Sequence, residues 1–113
     1  MNITIQSIPH EQQRYNTLGD WWWDQENLHI RVSDNMTEDA QFLCALHELV
    51  EVWLCKSRGI SQAVVDEFDF QWKSDGEPGD SPNAPYRREH RFAMLVEHLM
   101  AQQMCIEGYG VVK

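Results

Sequence analysis

The chain has 113 residues and a formal charge of −9, because 9 Lys and Arg stand against 18 Asp and Glu. This length predicts a single domain, residues 1–113, whose core is large enough to fold without disulfides. The charge argues against binding of nucleic acid or of an anionic membrane surface, since both require cationic side chains. The charge is also compatible with a DNA-mimicking inhibitor, which binds another protein's basic groove.

The sequence also bears on compartment. It has no run of the ~18 apolar residues that a membrane-spanning helix needs, and its N-terminus lacks the pattern of a signal peptide. We therefore expect a cytoplasmic protein that does not enter a membrane. The three cysteines, Cys44, Cys55 and Cys105, lack C-x-x-C spacing, which favours buried reduced thiols over disulfides or a zinc knuckle.

The N-terminal third predicts three short strands. Ile3, Ile5 and Ile8 begin an alternating pattern, Trp21-Trp22-Trp23 follows a turn, and residues 28–32 alternate again. Because successive strand residues face opposite sides, Trp22 should point away from Trp21 and Trp23. We expect an antiparallel sheet whose inner face carries Leu28, Ile30 and Val32.

The rest of the chain predicts three helices. Thr37 is a typical N-cap for a first helix that ends near residue 57 with Gly59 as its C-cap, and Ser61 caps a second helix to about residue 72. Residues 73–85 contain three of the four prolines and predict a long loop. A third helix follows over residues 84–106, with a short tail after it. The predicted fold class is α+β, a small sheet packed on about three helices.

The segment His47-Glu48-Leu49-Val50-Glu51 is the most informative part of the first helix. His47 and Glu51 lie one turn apart at the edge of an apolar stripe made by Leu43, Leu46, Val50, Trp53 and Leu54. Glu48 is rotated by about 100° from His47, as in H-E-x-x-H metalloenzymes, where two ligands hold zinc and the glutamate is the general base. The alternative is an ordinary His/Glu pair at helical spacing.

The third helix carries a similar pattern. Its predicted apolar stripe is bordered by His90 and Glu97, while Glu89 points towards the middle of the stripe, which comprises Phe92, Ala93, Val96, Leu99, Met100 and Met104. If the two helices pack together, His47, Glu51 and His90 complete a three-ligand site for Zn²⁺ or another divalent metal, with Glu89 as a substitute ligand and Glu48 as the catalytic base. A buried His–Glu network that only joins the helices remains the alternative.

These features resemble a known family. The strand at residues 28–32, followed by a helix that contains Leu46-His47-Glu48-Leu49, is similar to the minimal zincin metallopeptidases of the ImmA/IrrE-like group, and Arg91-Phe92-Ala93 resembles their later segment. The resemblance implies a zincin-like fold with His47 as first metal ligand and Glu48 as general base. Glu51 occupies the position of the second histidine, and the position of the family's third ligand falls on Tyr86, four residues before His90.

The whole sequence also resembles small, uncharacterised phage-encoded proteins that contain a His-Glu-Leu-Val-Glu segment and a later Ala-Pro-Tyr-Arg-Arg-Glu-His segment. This likeness implies a phage source, and hence the host cytoplasm, but no function. A second hypothesis is accordingly a non-catalytic phage accessory or inhibitor protein, which binds a host protein or peptide through its acidic and aromatic surface.

A third hypothesis depends on paired carboxylates. Glu48-x-x-Glu51 followed by Asp66-x-x-Asp69 approximates the E-x-x-E and E-x-x-D pairs with which all-helical nucleotide pyrophosphohydrolases hold Mg²⁺. Those enzymes lack an N-terminal sheet and need basic residues to bind a triphosphate. Asp66 and Asp69 are therefore predicted to be solvated helix residues.

Overall fold

A computed structural model of the protein describes residues 1–106. This part of the chain has an α+β fold with a three-stranded sheet followed by three helices, as the sequence predicts. The elements are β1 (Ile3–Ile8), β2 (Gly19–Asp24), β3 (Asn27–Ser33), α1 (Glu38–Ser57), α2 (Gln62–Gln71) and α3 (Arg87–Gln103). The tail that we expect after the third helix lies outside the described residues.

The sheet is mixed, so the prediction of a wholly antiparallel sheet was wrong. Its strand order is β1-β3-β2, with β2 antiparallel to β3 and β1 parallel to β3. A parallel pair needs a long connection, and here the segment that includes all of β2 supplies it. Periodicity predicts strands but not their neighbours, which is why the sequence did not reveal this topology.

The inner face of the sheet forms the core beneath α1. Leu28 and Ile30 are fully buried and Val32 nearly so, which confirms the predicted face. Trp21 is also buried, whereas Trp22 lies on the opposite side and stacks on His29 with ring centroids 5.2 Å apart. The alternation predicted for the three tryptophans is therefore correct.

The first two helices begin where capping chemistry predicts. The Thr37 side chain accepts a hydrogen bond from the backbone N–H of Ala40, and Ser61 accepts one from that of Val64. At the end of α1, Arg58 is the C-cap and Gly59 follows it with φ of 73°, a left-handed conformation that glycine adopts without strain.

Helix α3 packs antiparallel to α1 on a face that the sequence did not predict. The expected apolar stripe was wrong at Phe92 and Leu99, which are 50% and 54% exposed. The buried side chains are largely polar, namely Glu89, His90, Ala93, Glu97 and Ala101. Because α1 places partners opposite the polar ones, their burial costs less than hydropathy implies.

Two smaller predictions concern membranes and thiols. Within residues 1–106, no helix combines the length and the apolar character that are needed to span a bilayer. All three cysteines are free, as expected, but only Cys55 is fully buried. Cys105 is exposed because it lies just beyond the end of α3, so the expectation of a buried thiol was wrong there.

Candidate metal centre

Three predicted ligands converge between α1 and α3. His47 Nε2 lies 3.1 Å from Glu51 Oε2 and 3.2 Å from His90 Nδ1, and His90 Nδ1 lies 2.9 Å from the same oxygen of Glu51. All three residues are buried. Within the described part of the chain, they are the one group of His, Cys, Asp and Glu side chains whose ligand atoms could share a metal ion.

The spacing of these three atoms suits a small cation. A tetrahedral zinc ion with bonds of about 2.0–2.1 Å separates neighbouring ligand atoms by roughly 3.3 Å. The observed separations of 2.9–3.2 Å are close to that value. Three protein ligands would leave a fourth tetrahedral position open, which is typical of catalytic rather than structural zinc sites.

Carboxylates hold the far nitrogen of each histidine. His47 Nδ1 lies 2.9 Å from Glu97 Oε1, and His90 Nε2 lies 2.9 Å from Asp80 Oδ1. A metal-binding histidine ordinarily donates its other N–H to such a carboxylate, which sets the tautomer and the orientation of the ring. Both imidazoles are therefore arranged to turn a nitrogen lone pair towards the shared space.

The number of hydrogen-bond donors that the carboxylates require favours a cation between His47, Glu51 and His90. Each imidazole has a carboxylate oxygen at both nitrogens, so without a metal a ring donates to both of its carboxylates only when it is protonated. Two protonated rings with nitrogens 3.2 Å apart repel each other. A metal ion instead leaves both rings neutral and supplies the positive charge by itself.

The pKa values report the same excess of negative charge. Burial by itself lowers the pKa of His47, but hydrogen bonds to Glu51 and Glu97 outweigh it and raise the pKa to about 11. Burial raises the pKa of Glu51, whereas its bonds to the two histidines lower it to about 2. The site thus stabilises a carboxylate and a cationic partner side by side.

Glu51 is positioned by the sheet as well as by its helix. The indole N–H of Trp21 in β2 donates to Glu51 Oε1 at 3.1 Å, which leaves Oε2 directed at the two histidines. A carboxylate held at one oxygen, with the other directed at the two histidine nitrogens, is suited to binding a metal through a single atom.

Glu48 lies beside the three ligands and is the candidate base. It is 8% exposed and lines a cavity of about 230 Å³ together with His47 and His90. No hydrogen-bond donor among residues 1–106 reaches its carboxylate, and His47 Nε2 is 3.8 Å away. Burial, followed by repulsion from Glu51, raises the pKa of Glu48 well above its usual range. A carboxyl group in a cavity whose pKa is raised in this way is a candidate for proton transfer.

The substitute ligand Glu89 is not part of this cluster. It is 3% exposed, and its Oε2 accepts a hydrogen bond from Arg58 at 2.7 Å, with Arg88 Nε at 3.8 Å. The Glu89 carboxylate is therefore paired with Arg58 at the end of α1, and it joins α3 to α1 instead of serving as a ligand.

The paired carboxylates of the pyrophosphohydrolase hypothesis do not converge. Asp66 forms an ion pair with Arg14 at 3.0 Å. Asp69 is buried, so the prediction that it is a solvated residue was wrong. Its carboxylate accepts hydrogen bonds from the hydroxyls of Tyr15 and Tyr86. Neither residue joins Glu48 and Glu51 in a metal-binding group, so the geometry gives this hypothesis no support.

Three contributors were not apparent in the sequence. Asp80 lies in the loop before α3, Trp21 lies in β2, and Gly79 packs directly against the His90 ring. Glu97 was identified at the helix edge, but its partner was unknown. The one signal in the sequence was the length and polar composition of the loop at residues 73–85, since loops of this kind often have a functional role.

We expect Glu97→Gln to weaken zinc binding by about 10–100-fold, because a neutral amide holds the His47 ring less firmly than a carboxylate does. Zinc titration against a competing chelator measures the affinity. Glu67→Gln, an exposed residue of α2, is the matched control and should leave the affinity unchanged. Equal affinities for the two variants would show that Glu97 does not support the site.

Gly79→Ala should also weaken zinc binding, through steric displacement of His90. A Cβ at position 79 would lie 2.6 Å from His90 Cγ and closer still to Nδ1, so the ring must move. Gly76→Ala is the control in the same loop, because its Cβ meets nothing within 4 Å although its φ of 81° makes the change strained. Chelator competition should separate the two variants, with only Gly79→Ala losing affinity.

Asp69 should make stability depend on pH. Burial raises the pKa of Asp69 to about 7 from 3.8, against the opposing effect of the bonds from Tyr86 and Tyr15. The folded state binds this proton more tightly than the unfolded chain does, so protonation of Asp69 stabilises the fold below pH 4. As pH rises towards 7, this contribution is lost and the free energy of unfolding falls by up to roughly 4 kcal/mol.

Urea unfolding at several pH values tests this dependence. Asp69→Asn should flatten the fall in free energy of unfolding between pH 4 and 7, because the side chain no longer titrates. Asp75 is an exposed acid in the loop that follows α2, and Asp75→Asn should behave like the unaltered protein. Parallel curves for all three proteins would contradict the assignment.

No protein-family model, curated protein or solved structure matches this chain. The interpretation of the site therefore depends on the chain's own geometry.

Proposed function

We propose that this chain binds one divalent metal ion, zinc by preference, through His47, Glu51 and His90, and that it hydrolyses an amide or a related carbonyl compound. The observation that carries the proposal is the convergence of one oxygen and two nitrogens at 2.9–3.2 Å, with a carboxylate behind each histidine. A structural His–Glu network explains the same contacts, but all four carboxylate contacts are hydrogen bonds only when both facing imidazoles are protonated.

The cavity beside the ligands supports a reaction rather than simple storage of a metal. A zinc ion at such a site supplies Lewis acidity, which acidifies a coordinated water and polarises a carbonyl oxygen. Glu48 takes the proton of the attacking water and passes it to the departing nitrogen, so that water is added across the C–N bond. His47 and His90 stay fixed by Glu97 and Asp80 during this step.

The proposal agrees with the resemblance to minimal zincins of the ImmA/IrrE-like group. In that comparison His47 and Glu48 keep the roles of first ligand and general base, and Glu51 replaces the second histidine with an oxygen ligand, which zinc accepts. His90 then supplies the third ligand from a helical position that the family does not use. A phage source and a cytoplasmic location remain expectations of the sequence.

Metal analysis of the purified protein is the direct test. The protein is produced without a histidine tag, dialysed against buffer with and without zinc, and its metal content is measured by mass spectrometry. We expect one zinc ion per chain that survives dialysis. Protein that retains no stoichiometric zinc, nickel, cobalt or manganese under these conditions would refute the proposal.

A further inference from the structure

Helices α1 and α3, together with strand β1, expose an apolar surface on the side that faces away from the metal centre. Seven large apolar side chains there are between 42% and 54% exposed. We call this surface the back face; it comprises Ile3, Ile5, Phe42, Trp53, Phe92, Leu95 and Leu99. Leu46, Leu49, Val50 and Val96 of the same two helices are half-buried.

Helix geometry places these residues together and away from the cleft. On α3, His90 and Glu97 face the cleft, and Phe92 and Leu99 lie roughly opposite them around the helix. On α1, Phe42 and Trp53 lie opposite Glu51 in the same way. Strand β1 extends the surface, because Ile5 and Phe42 line one apolar groove along α1.

The back face is large enough to be an interface. A large apolar side chain has about 200 Å² of surface, so seven of them at half exposure present roughly 650 Å². Monomeric proteins rarely leave more than about 300–600 Å² of contiguous apolar surface exposed, and a standard interface buries about 800 Å² per partner. The surrounding half-buried residues supply the remaining area between roughly 650 Å² and the about 800 Å² of a standard interface.

Charges at the two ends of the back face indicate which partner it takes. The start of α1 carries the exposed acids Glu38 and Asp39. Because α3 runs antiparallel, the other end combines Lys56 from α1 with Arg88 and Arg91 from α3, all exposed. A second copy, rotated by a two-fold axis that lies in the face and crosses the helices, places each acidic end on the basic end of its partner.

We propose that the back face is a self-association surface through which two copies of this chain form a two-fold symmetric dimer. The dimer pairs helices α1 and α3 of both copies and leaves the two metal centres open on its outer sides. The inference is independent of the proposed hydrolase function, since it uses none of the metal ligands.

Sedimentation equilibrium over a range of protein concentrations tests the proposal. We expect a dimer that Phe92→Glu weakens by about 30-fold or more, the usual effect of losing a central aromatic contact. Val64→Glu is the matched control, because Val64 is 46% exposed but lies on α2 outside the back face. Circular dichroism and zinc content should be unchanged in both variants.

A charge exchange identifies the partner as a second copy. Reversing the acidic end with Glu38→Lys and Asp39→Lys should weaken the dimer, and so should reversing the basic end with Lys56→Glu and Arg88→Glu. Mixing these two variants should restore association between unlike chains. A single species with the mass of one chain at every concentration, or a dimer that Phe92→Glu leaves intact, would overturn the proposal.

Discussion

Replacement of His47 by alanine is expected to abolish stoichiometric zinc binding. His47 would supply one of the three proposed ligand atoms, and its nitrogen lies within 3.2 Å of the other two. Loss of an outer partner of a ligand already costs about 10–100-fold in affinity, so loss of the ligand itself should cost more than about 100-fold. Isothermal titration of the metal-free protein with zinc measures the change directly.

Thermal unfolding provides a second measurement of the same effect. Zinc that binds only the folded state stabilises it by about 2.7 kcal/mol when present at 100 times its dissociation constant. The unaltered protein should therefore melt at a higher temperature with zinc, whereas His47→Ala should show no change. His29→Ala is the control, because His29 stacks on Trp22 on the far side of the sheet.

One substitution can distinguish loss of a ligand from loss of the fold. Glu51→His restores the H-E-x-x-H pattern and should retain zinc, since an imidazole nitrogen is an equally good ligand. Glu51→Gln removes the charge with little change of shape and should lose zinc while circular dichroism stays unchanged. Equal zinc retention by both Glu51 variants would show that Glu51 is not a ligand. Zinc retention by His47→Ala would show the same for His47.

Replacement of Glu48 by glutamine should separate metal binding from hydrolysis. Glu48 is not one of the three converging residues, so zinc content should remain at one ion per chain. If Glu48 transfers the proton during hydrolysis, the rate should fall by about 10²–10⁴-fold. Fluorescently labelled casein and a random peptide mixture analysed by mass spectrometry are suitable probes, with Glu26→Gln, an exposed residue, as the control.

The same variant has a readout that needs no substrate. The Glu48 carboxylate is buried and has no hydrogen-bond donor among the described residues. Replacing such a group by a neutral amide should increase the free energy of unfolding of the metal-free protein at neutral pH, by on the order of 1 kcal/mol. A variant that is both less stable and free of zinc would show instead that Glu48 is a structural residue.

Local patterns were sufficient for much of the secondary structure. Thr37 and Ser61 predicted the starts of α1 and α2, because capping depends on a side chain and a backbone N–H only three residues away. Alternation predicted the inner face of β3 and the opposite directions of the tryptophans. These features arise from neighbours along the chain and therefore remain visible without the fold.

The buried face of α3 could not be predicted in this way. Hydropathy placed Phe92 and Leu99 in the core, but the fold leaves them half exposed and buries Glu89, His90 and Glu97. Whether a polar side chain can be buried depends on the partner opposite it, which here comes from α1 more than thirty residues earlier. The parallel direction of the β1–β3 pairing was missed for a similar reason, since it depends on the path of the chain between the two strands.

By itself, the sequence determined the α+β class, the helix starts, and the identity of three residues whose chemistry suits a divalent metal, because each of these follows from residue type and local spacing. The tertiary structure decided that His47, Glu51 and His90 meet, that Glu97, Asp80 and Trp21 hold them, and that Glu89 pairs with Arg58 instead. It also decided that Phe92 and Leu99 of α3 are exposed on the surface instead of buried in the core. Contacts between distant segments decide such matters, since only folding brings opposite charges and ring nitrogens within 3 Å or so of one another.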